Sequence, residues 1–222
     1  MSKNNLSAHI NHQTITKEML QQKALCINTH FGKRLFDVTF SSLFLLFIFS
    51  WLYPLIAFAI KVETKGLALF VQERIGLNGK IFKCYKFRTL HTNKSSLDKD
   101  SLPLSYTTPV TKVGAFLRKY NLDELPQFIN VLKGDMSIVG PRPHAILFHN
   151  MYSEYVKNID ERLLLKPGIT GLAQIKGLRG DVENQEENKI NIQKRIAADI
   201  EYITNWHFTL DIQISCKTFF KL

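Results

Sequence analysis

Two adjacent carboxylates, Asp123 and Glu124, are the residues best placed by type and spacing to do chemistry. They open the stretch Leu122 to Asp135. There Leu125, Phe128, Ile129 and Leu132 recur at helical spacing and predict a short helix with an apolar face. Pro126 is tolerated in a first helical turn, where its missing N–H costs nothing. An acid there lies in the positive field of the helix N-terminus, a field that also suits a bound phosphate. Arg118 and Lys119 lie just upstream. Downstream, Met136 to Pro143 reads as an apolar strand ending in Arg142, held between Pro141 and Pro143. An anionic nucleophile among cations, at a helix start, suits chemistry on a phosphate. The same Asp-Glu pair serves as plain capping in many helices, so the surrounding elements must decide.

A second source of cations lies upstream. Phe70 to Arg88 has two β-prone arms around Asn78-Gly79, the favoured pair for a type I′ hairpin turn. On a period of two, Lys83, Tyr85 and Phe87 point one way, and Phe82, Cys84, Lys86 and Arg88 the other. Lys86 and Arg88 on one face are within reach of a diphosphate. The alternative is a solvated strand edge protected by basic residues.

The chain has 222 residues, enough for one ordinary domain with a real core. Lys and Arg number 29 against 19 acids, a net charge of +10, which implies an anionic partner: nucleic acid, a membrane surface or phosphorylated substrates. No zinc-finger spacing or RNP-like signature supports nucleic acid. Cys26, Cys84 and Cys216 are far apart and form no metal pattern, which fits reduced thiols. The seven histidines form no ligand cluster, and His144 and His149 read as surface or packing residues.

Val38 to Ile60 carries no charge, and its 23 residues reach about 35 Å as a helix, enough to cross a bilayer core. Basic residues flank both ends: Lys33 and Arg34 before, Lys61 and Lys65 after. They do not give a one-sided positive-inside pattern. Two readings stand: a kinked single-pass helix, or a segment that dips in and turns back at Pro54. Backbone groups freed by Pro54 need partners, and Ser50 is one candidate. Ala57-Phe58-Ala59 mimics a signal-peptide cleavage site, but the run is too long and begins too late.

The remaining segments are read coarsely. Thr14 to Leu25 predicts a short helix after a loose start. Residues 91 to 110 predict a long loop. Thr111 to Tyr120 predicts a basic helix. Residues 144 to 158 predict an amphipathic helix with Ile146, Leu147, Met151, Tyr155 and Val156. Lys166 to Gly180 is turn-rich, and its glycines suit either ordinary turns or close approach to a nucleotide. Asp181 to Asn188 reads as exposed. Ile190 to Trp206 predicts a helix through Ile192, Ile196, Ile200 and Ile203. The tail from Phe208 is either a membrane-surface segment or the last packed element.

Eight motifs in order make the chain resemble the bacterial sugar transferases, the monotopic polyprenyl-phosphate phosphoglycosyl transferases. They are Lys33-Arg-Leu-Phe-Asp37, Gln72-Glu-Arg-Ile-Gly76, Tyr85-Lys-Phe-Arg-Thr89, Thr111-Lys-Val-Gly114, Leu122-Asp-Glu-Leu-Pro-Gln127, Val131 to Pro143, Lys166-Pro-Gly-Ile-Thr-Gly171 and Asn205-Trp206. The resemblance implies an α+β, mainly helical fold. Residues 1–30 form a polar N-terminal segment, 31–62 a re-entrant membrane helix broken at Pro54, and 63–222 a cytoplasmic catalytic domain with a small β-hairpin. It implies transfer of a sugar-1-phosphate from a UDP-sugar to undecaprenyl phosphate, with release of UMP, at the cytoplasmic face of the bacterial inner membrane. Membrane lipids are then partners and nucleic acid is not. Self-association as a homodimer is left open.

By position, the resemblance makes Asp123 the nucleophile and Glu124 its dyad partner and ligand to Mg²⁺. Arg118 and Arg142 match phosphate-contacting arginines. The wider substrate-binding set is Lys86, Arg88, Pro141, Pro143, Gln174 and Arg179. A carboxylate can attack phosphorus and divide one transfer into two easier ones. Metal and fixed cations meet the charge on the phosphoryl oxygens. Tyr120-Asn121 stands where the family usually has Thr-Ser, and Gly171-Leu-Ala-Gln174 where many members have Gly-Trp-Ala-Gln. Gly177 to Asp181 looks like the subgroup that transfers glucose-1-phosphate. The rivals are galactose or an N-acetylated or diamino sugar in the same chemistry, or a catalytically silent membrane scaffold for polysaccharide assembly. Paired-carboxylate glycoside hydrolysis fits poorly, because such carboxylates flank a bond rather than adjoin in sequence.

Overall fold

The computed structural model describes residues 17–91, 109–180 and 184–220. Most of the expected polar N-terminal segment, most of the 91–110 loop and Asp181 to Glu183 lie outside the described residues. The described chain is mainly helical with two small sheets. The elements that matter for the site begin with α1 (Lys17–Thr29), α2 (Phe31–Phe44), a π-helical turn (Leu45–Phe49) and α3 (Ser50–Glu63). Strands β1 (Leu69–Ile75) and β2 (Ile81–Phe87) follow, then α4 (Lys112–Lys119) and α5 (Gln127–Lys133).

The helix from Phe31 to Glu63 is long and apolar enough to cross a membrane, and only 22% of its most apolar window is buried in the protein. A soluble core helix would hide that surface. Instead Leu46, Phe47, Trp51, Leu55 and Phe58 are all more than half exposed. Pro54 does not end the helix, contrary to the expected break there. It lies inside α3, and the irregularity falls earlier, where the ladder widens and the Ser50 N–H reaches back to the Leu45 carbonyl. Side chains take up carbonyls of that widened turn. The Ser50 hydroxyl donates to Leu46 O at 2.6 Å, and Trp51 Nε1 donates to Phe47 O at 2.9 Å. Such internal partners are what an apolar surrounding demands.

The opposite face of this helix packs on the rest of the chain along its length. Phe44 meets Phe128 with ring centroids 4.2 Å apart, and Phe49 and Tyr53 meet Phe87 at 5.9 and 5.8 Å. Ile56 and Ile60 join the same cluster with Leu117. The start of α2 is anchored by charge. Arg34 donates to the Val131 and Leu132 carbonyls at the end of α5, at 2.8 and 3.0 Å. Asp37 accepts from Ser137 Oγ and the Ile138 N–H at 3.1 and 2.9 Å. Lys33 Nζ bonds Val139 O, Tyr202 and Asp211.

The β1–β2 hairpin pairs antiparallel from Leu69 opposite Phe87 to Ile75 opposite Ile81. Its turn is as the Asn-Gly pair predicts: Asn78 and Gly79 have positive φ, and the Lys80 N–H donates to Leu77 O. Phe82 and Cys84 are buried on one face of β2, and Phe87 is buried on the other, because the long apolar helix covers it.

Strand β3 (Ser137–Val139) pairs parallel with β4 (Gly168–Thr170). A Cβ at Gly168 would sit 2.1 Å from the Gly140 nitrogen. These glycines thus admit backbone to backbone, and the nucleotide alternative does not apply at Gly168. Helix α6 (Ile146–Ser153) is shorter than expected and faces inward through His149 and Tyr152, while Leu147 and Met151 are exposed. His144 and His149 are packing residues. After α7 (Leu172–Ile175), α8 (Gln185–Asn205) buries Ile192, Ile196 and Ile203 as its period predicts. The tail is α9 (Phe208–Phe220), a packed element whose Asp211 is fully buried.

Gly168→Ala is expected to destabilise the fold by about 2–3 kcal/mol, a Tm loss of roughly 5–10 °C, because neither strand can yield to the added Cβ. Thermal melting of the purified protein checks this.

Candidate active site

The dyad sits one step ahead of its helix. Leu122–Glu124 forms a 3₁₀ turn, and α5 begins at Gln127. The turn is entered through Asn121, whose φ of 54° lies in the left-handed region. Asn is among the few residues that tolerate it. That is a local reason for Asn at the position where Thr-Ser is usual. Its side chain caps nothing and accepts instead from Arg179 Nη1.

Glu124 is the centre of the site. Its Oε1 accepts from Lys86 Nζ at 2.7 Å and Arg142 Nη2 at 2.5 Å. Its Oε2 accepts from Arg142 Nη1 at 3.0 Å and lies 3.0 Å from Arg179 Nη2. The Arg142 fork is two-pronged, a geometry lysine does not reproduce. Burial pushes the Glu124 carboxyl up, but Arg142, Lys86 and Arg179 together hold it well below the usual carboxylate range. Arg142 shows the reciprocal effect: burial pulls its guanidinium down, Glu124 outweighs this, and the net is upward.

Asp123 is also buried but differently placed. Among the described residues, no hydrogen bond or ion pair holds its carboxylate. Burial and the charge of Glu124 push it above the ordinary value, against the pull of Lys86, Arg142 and Arg179. Adjacent carboxylates thus divide: one is committed to cations, the other uncommitted and more basic than usual. That division suits a nucleophile beside an electrostatic organiser.

The elements behind the cations explain their positions. Asn130, fully buried on α5, accepts from the Tyr85 N–H at 3.0 Å and donates to Lys83 O at 2.7 Å. It clasps β2 just before Lys86. The Pro-Arg-Pro segment is strapped on three sides. Arg74 Nη1 donates to Pro143 O at 2.5 Å, Arg162 Nη2 to Arg142 O at 2.6 Å, and the Gly168 N–H to Pro141 O at 2.9 Å.

Of the expected substrate-binding set, the fold brings Lys86, Arg142 and Arg179 to the dyad. Arg88 goes elsewhere: it is one residue past β2, and its guanidinium holds the Thr64 and Lys65 carbonyls at the end of α3. Arg118 Nε donates to Thr89 Oγ1 at 2.9 Å. Gln174 Nε2 donates to Ile169 O, and its buried Oε1 has no partner among the described residues. The rings of Pro141 and Pro143 stiffen the segment, and their carbonyls are taken up by the straps. Sequence reading missed the supports Arg74, Asn130, Arg162 and Arg195. Arg74 lies inside a motif already recognised. The others gave no signal beyond polar residues within apolar helical patterns.

The sequence matches the bacterial sugar transferase family over residues 28–222. This chain belongs to that family. A Klebsiella pneumoniae protein named UDP-glucose:undecaprenyl-phosphate glucose-1-phosphate transferase is 45% identical over 189 residues, which cover 85% of this chain and 39% of the relative. A protein of the same name from Caulobacter vibrioides is 44% identical, covering 84% of this chain and 67% of the relative. The exopolysaccharide production protein PSS of Rhizobium leguminosarum bv. phaseoli is 40% identical, covering 82% and 90%. The chain therefore spans about two fifths of the Klebsiella relative's length.

The dyad offers two carboxylates to a metal ion. Among the described residues, no group of three or more His, Cys, Asp or Glu gathers to hold an ion. Four N–H donors surround the two oxygens of Glu124. The two carboxylates are hard donors suited to Mg²⁺. They fit it when phosphate oxygens of a substrate complete the shell and draw off part of the cation cluster.

The neighbours are expected to respond oppositely to neutralisation. The folded-state value of Glu124 is depressed, so its stabilisation is present above the ordinary carboxylate range and is lost only as pH falls well below it. Glu124→Gln strands buried cations and is expected to cost about 3 kcal/mol, a Tm loss of roughly 5–10 °C at pH 7. Asp123 is raised, so its charge opposes folding above its folded value. Asp123→Asn is expected to raise Tm at pH 7, and the difference between Asn and Asp should close as pH falls. Melting curves between pH 4 and 8 read both signs.

Proposed function

We propose that the chain is a membrane-bound, Mg²⁺-dependent phosphoglycosyl transferase. It moves a sugar-1-phosphate from a UDP-sugar to undecaprenyl phosphate and starts the assembly of a surface polysaccharide. The reading rests on one observation: an uncommitted, buried, raised-basicity carboxylate beside a carboxylate that gathers three cations. The relatives' names supply the donor and acceptor. Glucose is the first donor to try, because it is the sugar in those names.

The step balances as follows. An Asp123 oxygen attacks the sugar-bearing phosphorus, the bond to the bridging oxygen breaks, and UMP leaves with that electron pair. The aspartyl phospho-sugar is then attacked by a phosphate oxygen of undecaprenyl phosphate. The acyl-phosphate bond breaks, and the carboxylate is restored. Lys86, Arg142 and Arg179 exchange part of their hold on Glu124 for the donor's phosphoryl oxygens and stabilise the charge that grows there. Asp123 and Glu124 would hold Mg²⁺ together with those oxygens. Bound there, the ion would neutralise the departing UMP.

The exposed apolar face of the helix from Phe31 to Glu63 is the surface we assign to lipid. The other face packs on the catalytic body along its length, which favours a helix whose whole length stays beside that body on the cytoplasmic side of the bilayer. A spanning helix would carry its middle away from that body. The lipid acceptor then meets the dyad at the membrane surface.

Purified full-length protein in detergent, with undecaprenyl phosphate, Mg²⁺ and a panel of UDP-sugars, is expected to release UMP and not UDP. UDP as the product would mean direct sugar transfer and would overturn the phospho-intermediate. Asp123→Asn should abolish release, and chelation of Mg²⁺ should do the same. Arg142→Lys keeps the charge but loses the fork, with an expected loss of about 10–100-fold in kcat/KM. The acid limb of kcat/KM should have its midpoint above about 4, the ordinary carboxylate value, because Asp123 must be ionised to attack.

A further inference from the structure

Two of the cations on Glu124 trace back to one helix, α8. Arg142 is held through its own carbonyl, which accepts from Arg162 Nη2 at 2.6 Å. The same Nη2 lies 3.0 Å from Asp199 Oδ2 of α8, an ion pair without hydrogen-bond geometry, with both side chains only 2% exposed. Arg179 is carried by the loop from Gly177 to Gly180, and both glycines have positive φ. Arg195 of α8 ties that loop down on either side of Arg179. Its Nε donates to Leu178 O at 2.9 Å, and its Nη2 donates to Gly180 O. Asn191 Nδ2 adds a bond to Gly180 O at 3.3 Å.

Residues 191, 195 and 199 are four apart and share one face of α8. A helix is stiff over two turns, so it fixes the spacing of what it holds. The two chains of contact begin on that face and converge on the same carboxylate.

We propose that Arg195 and Asp199 are positioning residues for phosphoryl transfer: Asp199 sets Arg142 through Arg162, and Arg195 sets Arg179 through the Gly177–Gly180 loop. This rests on the phosphoglycosyl transferase reading above. Buried polar groups with purely local partners would stabilise the fold and leave each arginine's contribution unchanged. Here each support ends on the backbone of one particular arginine or of its immediate neighbours. Small displacements of such groups cost rate steeply.

The test is a pair of double-mutant cycles on full-length protein, read in donor kcat/KM by UMP release and, without turnover, in UDP affinity. Arg195→Gln is expected to lower kcat/KM about 10-fold in the wild-type background, but less than about 2-fold in Arg179→Gln. In Arg142→Lys its full effect should persist. Asp199→Asn should show the mirror pattern, its main coupling to Arg142 and a smaller one to Arg179, because its charge also acts on Arg195. Equal, additive losses in all backgrounds would overturn the proposal and leave both residues a role in the fold alone.

Melting curves accompany each variant. If Asp199→Asn does not fold, Arg162→Lys tests the same link, and Asn191→Ala tests the loop link through the partner at Gly180. Wild-type protein that binds UDP but releases no UMP would overturn the reaction reading, while the binding cycles still judge the coupling. Loss of both turnover and UDP binding would overturn the reading and the inference together.

Discussion

Everything about the site depends on one buried carboxylate with more positive charge around it than it can neutralise. Glu124 draws in Lys86, Arg142 and Arg179 from three separate parts of the chain. An isolated buried charge is costly, and a buried pair recovers that cost only with good geometry and full hydrogen bonding. Glu124 has both. With Lys86 and both arginines protonated, the surplus is one positive charge when both carboxylates are ionised and two when Asp123 is protonated, and of the two carboxylates Glu124 is the one engaged. A phosphate-bearing ligand is the natural complement to such a site. The fold thus keeps the cations together and aligned without a ligand, which removes part of the reorganisation that the reaction would otherwise require.

That arrangement is kept in place by hydrogen bonds to backbone more than by side-chain pairs. Asn130 clasps β2, Arg74 and Arg162 strap the Pro-Arg-Pro segment, and Arg34 holds the last carbonyls of α5. Each of these side chains bonds a backbone carbonyl or N–H directly. The described residues form two two-stranded sheets, whose ladder hydrogen bonds cannot do this work. Buried polar side chains take their place, and buried polar groups must be satisfied.

The long apolar helix belongs to the same network. Lys33, Arg34 and Asp37 stand at the start of an otherwise apolar helix, and all three turn inward. Asp37 reaches β3, the strand that leads into Arg142. Lys33 reaches Asp211, which also accepts from Tyr202 at 2.5 Å and from Trp206 Nε1 at 3.1 Å. Trp206 of the Asn205-Trp206 motif therefore helps hold a buried charge pair whose other member, Lys33, lies far along the chain. Because helix and catalytic body share these contacts, the depth of the helix in lipid would also set the height of the dyad.

What the sequence determined by itself was local or periodic. The apolar run, the Asn78-Gly79 turn, the isoleucine period of α8 and the Asp123-Glu124 pair were legible because spacing along the chain carries them. The motif order identified the family. The length of α6, the uninterrupted course of the helix through Pro54 and the burial of Phe87 were not legible, since each depends on what packs alongside. Tertiary structure alone decided which cations meet the dyad. Lys86 and Arg88 share a strand face by period, yet Lys86 reaches Glu124 while Arg88 closes the end of α3. Arg118 lies only a few residues from Glu124 and turns to Thr89, whereas Arg179, much farther along, arrives at the carboxylate. The physical reason is that a long flexible side chain goes to whichever unpaired carboxylate or carbonyl the packed backbone leaves within reach. That set of groups exists only once the chain has folded.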